Sequence, residues 1–177
     1  MGRQAMGRNP GAMPMNNPES LGSDRTPGVI VRPPLLYAGA LATGAALDWL
    51  VPVDVLEPLF GGWRREIALG LIALSLALGF WAFRHFQSAG TNVPTDRPVE
   101  ALVTGGPYRY SRNPIYVALT GAYLGVTVWT ASLWMLALLP AVLTVMSLGV
   151  IAREEALLER LFGERYRTYR GRVRRWF

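Results

Sequence analysis

The sequence predicts an all-α integral membrane bundle of about four transmembrane helices with a cytoplasmic C-terminal helical segment. Three observations carry this. Hydrophobic residues are 51% of the 177-residue chain, and they fall into long blocks rather than amphipathic stripes, the pattern of spanning helices. One block, residues 115–152, runs for 38 positions without a charge. All 18 basic residues are arginine, spread so unevenly between the predicted loops that they define a topology.

Residues 1–34 are rich in Gly, Pro, Asn, Met and Arg and hold no sustained apolar run. They predict a disordered cytoplasmic tail without a secretory signal. Residues 35–51 form the first apolar block, between Pro33-Pro34 and Pro52; at about 1.5 Å per residue it reaches roughly 26 Å, just enough for a span. Asp48 falls near its end, where an interfacial carboxylate costs little. A short loop with Gly61-Gly62 and Trp63 leads into the second span, which completes a leading pair over residues 35–83. Trp81 and Phe83 make an aromatic belt, and His85 beyond it reads as a head-group-level residue. Residues 87–100 are polar and interrupted by Pro94 and Pro98, which predicts an ordered loop rather than a helix.

As a single helix, residues 115–152 would be about 57 Å long, nearly twice a hydrocarbon core of about 30 Å. The run must therefore fold back, and Trp129-Thr130-Ala131-Ser132 is the predicted turn, giving spans 115–129 and 133–152. Gly121 and Gly125 have the small-xxx-small spacing that lets helix backbones approach, and Pro140 is placed to kink the last span. With four spans, sixteen arginines fall on one side and only Arg64 and Arg65 on the other. Both termini and the central loop are thus expected in the cytoplasm. After residue 152, Leu157, Leu158, Leu161 and Phe162 form one helical stripe that Gly163 ends. Tyr166, Tyr169 and Trp176 interleave with arginines, which suits a piece lying on the anionic leaflet.

Composition also excludes classes of function. The chain has no cysteine and one histidine, which leaves no thiolate chemistry and argues against a dedicated metal centre. Its basic residues flank apolar blocks instead of tracking a groove, which argues against nucleic acid.

The densest polar stretch is Gly105-Gly106-Pro107-Tyr108-Arg109-Tyr110-Ser111-Arg112-Asn113-Pro114-Ile115-Tyr116. A plain span needs only one or two anchoring residues, so this stretch reads as a binding surface, with an Arg/Tyr interface belt as the alternative. In a four-span bundle the hairpin brings it to the same end as Arg153-Glu154-Glu155. Together they offer guanidinium to a carboxylate, Glu to an ammonium or a ribose hydroxyl, and rings to a cation. That set suits a small zwitterionic or cationic molecule with a hydroxylated, aromatic part. Glu154 and Glu155 sit where a helix dipole prefers cations; ordinary helix-end charges are their alternative reading.

The stretch over residues 102–116, the hairpin, Glu154-Glu155 and Phe162-Gly163-Glu164-Arg165-Tyr166-Arg167-Thr168-Tyr169 together resemble the isoprenylcysteine carboxyl methyltransferase and phospholipid methyltransferase superfamily. The resemblance covers about residues 84–175, within a core unit drawn as 84–177. It implies an integral membrane enzyme that binds S-adenosylmethionine on the cytoplasmic side, in a pocket closed by the C-terminal segment, while a lipophilic or lipid acceptor enters from the bilayer. It further implies that Glu100, Ala101, Leu102, Val103, Tyr108, Asn113, Pro114, Ile115, Tyr116 and Glu154 line the cofactor; Arg112 is placed with them. Arg153 and Glu155 are the candidate catalytic residues. The family usually has histidine where this chain has Asn113, and the isoprenylcysteine enzymes have an arginine where it has Val150, with Arg153 the nearest basic residue. These departures leave the acceptor open among a prenylcysteine-like carboxylate, a lipid amine and a hydroxyl. They also leave room for an inactive scaffold or lipid-binding protein of the same fold.

Overall fold

The computed structural model describes residues 28–88 and 101–176. Every regular element among them is helical, in keeping with the expected all-α class. We label the helices α1 (Pro33–Leu50), α2 (Arg64–Ser88), α3 (Pro114–Thr130), α4 (Leu133–Val145), α5 (Ala152–Phe162) and α6 (Glu164–Arg172). A helical turn at Glu57–Phe60 and a 3-10 turn at Gly61–Trp63 lead into α2, and another 3-10 turn, Gly106–Arg109, precedes α3. A π-helical turn, Met146–Ile151, joins α4 to α5 without a break.

Local chemistry sets the boundaries. Pro33 and Pro114 open α1 and α3, where a fixed φ helps and a missing N–H costs nothing. The predicted turn after α3 is present. Ala131 takes a left-handed φ of 52°, and the Ser132 hydroxyl caps α4 by accepting from the Met135 N–H at 3.0 Å. Helix α2 continues past residue 83 to Ser88 because Phe86 still finds an apolar partner, meeting the Tyr108 ring edge-on at 5.0 Å. Residues 1–27 of the expected tail and 89–100 of the expected loop lie outside the described residues. The end of that tail, residues 28–32, lies along the π-helical turn, with the Ile30 N–H donating to the Gly149 carbonyl at 3.4 Å.

Small residues decide the packing. A Cβ on Gly125 would lie 2.6 Å from Ile72 Cγ1 and 3.2 Å from the Ala68 carbonyl, and one on Gly121 would collide with the Ser75 hydroxyl. The glycine spacing read from the sequence therefore marks the line along which α2 and α3 meet. Gly44 does the same for α1 against α4, where a Cβ would lie 2.5 Å from Met135 Cγ. Helix α1 is also joined to α3 by the Tyr37 and Thr120 hydroxyls, 2.7 Å apart. The main core lies among Tyr37, Tyr116, Tyr123, Met135, Val142, Met146, Val150 and Ile151.

Two helical stretches, Glu57–Ser88 and Leu133–Phe162, are long and apolar enough to cross a membrane. Only 17% and 33% of their apolar windows are buried inside the protein, so most of that surface faces outward, unlike the core helix of a water-soluble domain. Exposed Trp49, Trp63 and Trp129 mark one end of the bundle, and exposed Trp81, Phe83 and Tyr110 mark the other. Along α2, Trp63 and Trp81 are about 27 Å apart at about 1.5 Å per residue, close to a hydrocarbon core of about 30 Å. Helices α1 and α3 are shorter, at 18 and 17 residues.

Candidate functional site

The site begins at Gly105-Gly106. Gly106 has a left-handed φ of +56°, and a Cβ there would lie 2.5 Å from His85 Nε2, so both conformation and space require glycine. His85 packs its ring on this glycine. The chain then turns through Gly106–Arg109, the Tyr108 N–H donating to the Gly105 carbonyl at 3.1 Å. This turn buries the Tyr108 ring and leaves Arg109 exposed.

The segment after α6 returns to the entrance of α3. The Arg112 N–H donates to the Arg174 carbonyl at 3.0 Å. The Arg175 carbonyl accepts from Asn113 Nδ2 at 3.0 Å and from the Ser111 hydroxyl at 3.3 Å. Asn113 therefore spends its amide on holding this return segment.

From the facing side, α5 contributes two adjacent carboxylates just after the π-helical turn, whose extra residue re-aims the side chains of α5. Glu154 and Glu155 are only 4% and 7% exposed. The Tyr116 hydroxyl donates to Glu154 Oε1 at 2.6 Å. Glu155 is gripped by two guanidiniums: Arg112 Nη2 lies 3.2 Å from Oε1, while Arg175 reaches Oε1 with Nε at 3.2 Å and Oε2 with Nη2 at 2.5 Å. Such bidentate, charge-assisted contacts are among the strongest polar ones a protein makes. The hydrogen bonds that Arg175 donates to Glu155 hold its pKa above the ordinary value.

A cleft opens between these groups. Ala101, Leu102, Val103, Tyr108, Arg112, Asn113, Ile115, Tyr116, Glu154 and Glu155 all line it. The polar entrance of α3 and the acidic pair of α5 thus share one concave surface at one end of the bundle.

A family model described as phospholipid methyltransferase matches residues 63–165, more than half of the chain. The protein belongs to the phospholipid methyltransferase family. Its activity class is accordingly methyl transfer at a membrane. Searches of curated proteins and of solved structures found no match.

Not every residue expected at the site reaches the cleft. Pro114 is buried on another side, among Leu78, Trp81 and Val117, where it starts α3. Arg153 points away: its side chain is exposed, and Nη1 donates to the Gly28 carbonyl at 2.7 Å. One step along an α-helix turns a side chain by about 100°, so burial of Glu154 directs Arg153 outward. Val150, where the isoprenylcysteine enzymes carry arginine, is fully buried in the apolar core. Glu100 lies outside the described residues.

Sequence reading missed Phe86, Leu158, Tyr166 and Tyr169 in the cleft wall, and Arg175 on Glu155. The two tyrosines were expected on the leaflet. Instead Gly163, with φ 51°, turns the chain so that α6 folds back over the cleft. Tyr166 is 1% exposed, and the Tyr169 hydroxyl donates to the Tyr108 carbonyl at 2.7 Å. Their spacing of three, which puts both on one helix face, was the available signal.

Several polar atoms of the cleft have no hydrogen-bond partner among the described residues. The Tyr108 hydroxyl is buried and unbonded, the Tyr166 hydroxyl has only the neighbouring Arg112 guanidinium within hydrogen-bonding reach, and among the described residues no cation pairs with Glu154. Each buried polar group left in that state costs about 1–3 kcal/mol, so the wall is complementary to a ligand that offers acceptors to Arg112 and the phenols and positive charge or donors to Glu154. Burial raises the pKa of Tyr108 and of Tyr169. It pushes Tyr166 up to about 12, with Glu155 adding to the effect and Arg112 opposing it. At neutral pH these phenols are donors and not bases.

Proposed function

We propose that the chain transfers a methyl group from S-adenosylmethionine to a lipophilic acceptor held in the bilayer. The observation that carries this reading is one cleft lined by Glu154, a buried carboxyl with no cation partner among the described residues, by the Arg112 guanidinium and by the unbonded Tyr108 hydroxyl. A zwitterion joined to a hydroxylated, aromatic group matches that set. Arg112 would hold the carboxylate through its fork, and Glu154 would take an ammonium, a ribose hydroxyl or the positive charge of the sulfonium. Phe86, Leu102, Val103 and Tyr169 would flank the nucleoside. S-adenosylmethionine, when bound, supplies the electrophilic methyl group.

The chain's own contribution is positioning and the exclusion of water. Both Glu155 oxygens are engaged by guanidiniums, so we assign Glu155 to positioning Arg112 and not to proton transfer. A carboxylate acceptor needs no base. An amine or hydroxyl acceptor releases a proton, and Glu154 is the carboxylate left to receive it. Arg153, at the Gly28 carbonyl, takes no part in this scheme. For topology we propose four spans, α1 to α4, with the cleft and both termini cytoplasmic, on the sixteen-to-two division of arginines.

Calorimetry of S-adenosylmethionine on the detergent-purified full chain tests the reading. Glu154→Gln keeps the shape and removes the ionisable carboxyl, whose pKa burial pushes up to about 8. It should weaken binding about 100-fold, equivalent to about 2.7 kcal/mol, with little change in melting temperature. Equal affinity in the variant and the parent would remove the donor site from this cleft. A labelled-methyl assay on extracted membrane lipids then sorts carboxylate from amine and hydroxyl acceptors.

A further inference from the structure

Helix α6 carries arginines on two faces, and the structure neutralises only one of them. Arg167 pairs with Glu164 at 3.0 Å and lies 3.9 Å from Glu159, and Arg170 meets Glu159 at 3.2 Å. Arg165 and Arg172 are seven residues apart, on one stripe with Thr168 and Tyr169. These four residues form one wall of a second concavity, and Leu102, Thr104 and Arg109 form another. Among the described residues no carboxylate pairs with Arg109, Arg165 or Arg172. Three guanidiniums around one basin repel each other and concentrate positive potential there. The Thr104 and Thr168 hydroxyls add neutral donors.

The basin is separate from the cleft but shares Leu102 and Tyr169 with it. Its depth is marked by Arg109, whose chain neighbour Tyr110 is 73% exposed at the belt end of the bundle, the level of lipid head groups. An anion reaching this basin from the membrane therefore arrives at the depth of lipid phosphates.

We propose that Arg109, Arg165 and Arg172 form a binding site for the phosphate of an anionic phospholipid head group, distinct from the site of methyl transfer. Guanidinium forks match phosphate oxygens. A lipid held there braces Tyr169, whose hydroxyl bonds the Tyr108 carbonyl in the cleft wall.

The test uses the full chain in detergent, without methyl donor, titrated with short-chain phosphatidylglycerol and followed by tryptophan fluorescence. Arg165→Gln with Arg172→Gln removes two basin charges. Arg167→Gln with Arg170→Gln removes the same charge from the neutralised face. The basin pair should weaken binding by about tenfold or more and the other pair by less than about twofold, since one lost charge-assisted contact is worth about 1.4 kcal/mol or more. Equal weakening by the two pairs would mean diffuse attraction and overturn the site. So would an absence of saturable binding in the parent. Inorganic phosphate binding as tightly as the lipid would overturn the lipid assignment in favour of a free anion. The readout needs no methyl transfer, so it stands or falls apart from the proposed activity.

Discussion

Two neighbouring carboxylates define two walls of the cleft, and the walls are finished differently. On the Glu155 side, Arg112 and Arg175 occupy both oxygens, and backbone carbonyls of the return segment are bonded to Arg112, Asn113 and Ser111. On the Glu154 side the only partner among the described residues is a phenol, and the Tyr108 hydroxyl nearby stays unbonded. A protein satisfies buried polar groups wherever it can. The contrast therefore separates a wall that holds the fold from the wall to which we assign the ligand.

The largest effect should come from breaking the finished wall. Glu155→Gln leaves two guanidiniums facing a neutral amide, and loss of one partner of a buried ion pair costs about 3–5 kcal/mol. A thermal melt of the purified chain should show a drop of many degrees; an unchanged melt would erase the distinction between the walls. Arg175→Lys is milder. It keeps the charge and gives up the two-pronged grip, so stability should fall by about 1–2 kcal/mol, with weaker donor binding because Arg112 loses its counterpoise. On the open wall, Tyr108→Phe removes a buried hydroxyl that bonds to nothing among the described residues. Stability should hold or rise by about 0.5 kcal/mol, while S-adenosylmethionine affinity falls roughly fivefold, about 1 kcal/mol. A clear loss of stability instead would show that this hydroxyl belongs to the fold.

The helices were legible in the sequence because prolines, charges and an uncharged run announce them. Pro33, Pro114 and the Trp129–Ser132 region place three boundaries by local chemistry alone. The gathering of Tyr108, Arg112, Tyr116 and Glu154 was legible from the hairpin. Less so were features set by direction in space. Arg153 stood nearest in sequence to the absent family arginine, yet the helix turn that buries Glu154 points it at Gly28. Tyr166 and Tyr169 looked like surface residues among arginines, and only the reversal at Gly163 brings them over the cleft. The π-helical turn before the acidic pair has no signature in its six residues, Met146–Ile151.

The glycines of α3 bear on how the cleft can admit a guest. Gly121 and Gly125 bring α3 so close to α2 that even a methyl group is excluded, which makes the pair a stiff slab without room to slide or spread. Across from it, α6 is tied to the α3 entrance by the Tyr169 hydroxyl, a bond that can be exchanged for water. Any widening of the cleft therefore falls to the elements across from α2 and α3, α6 among them, and the slab serves as the fixed jaw.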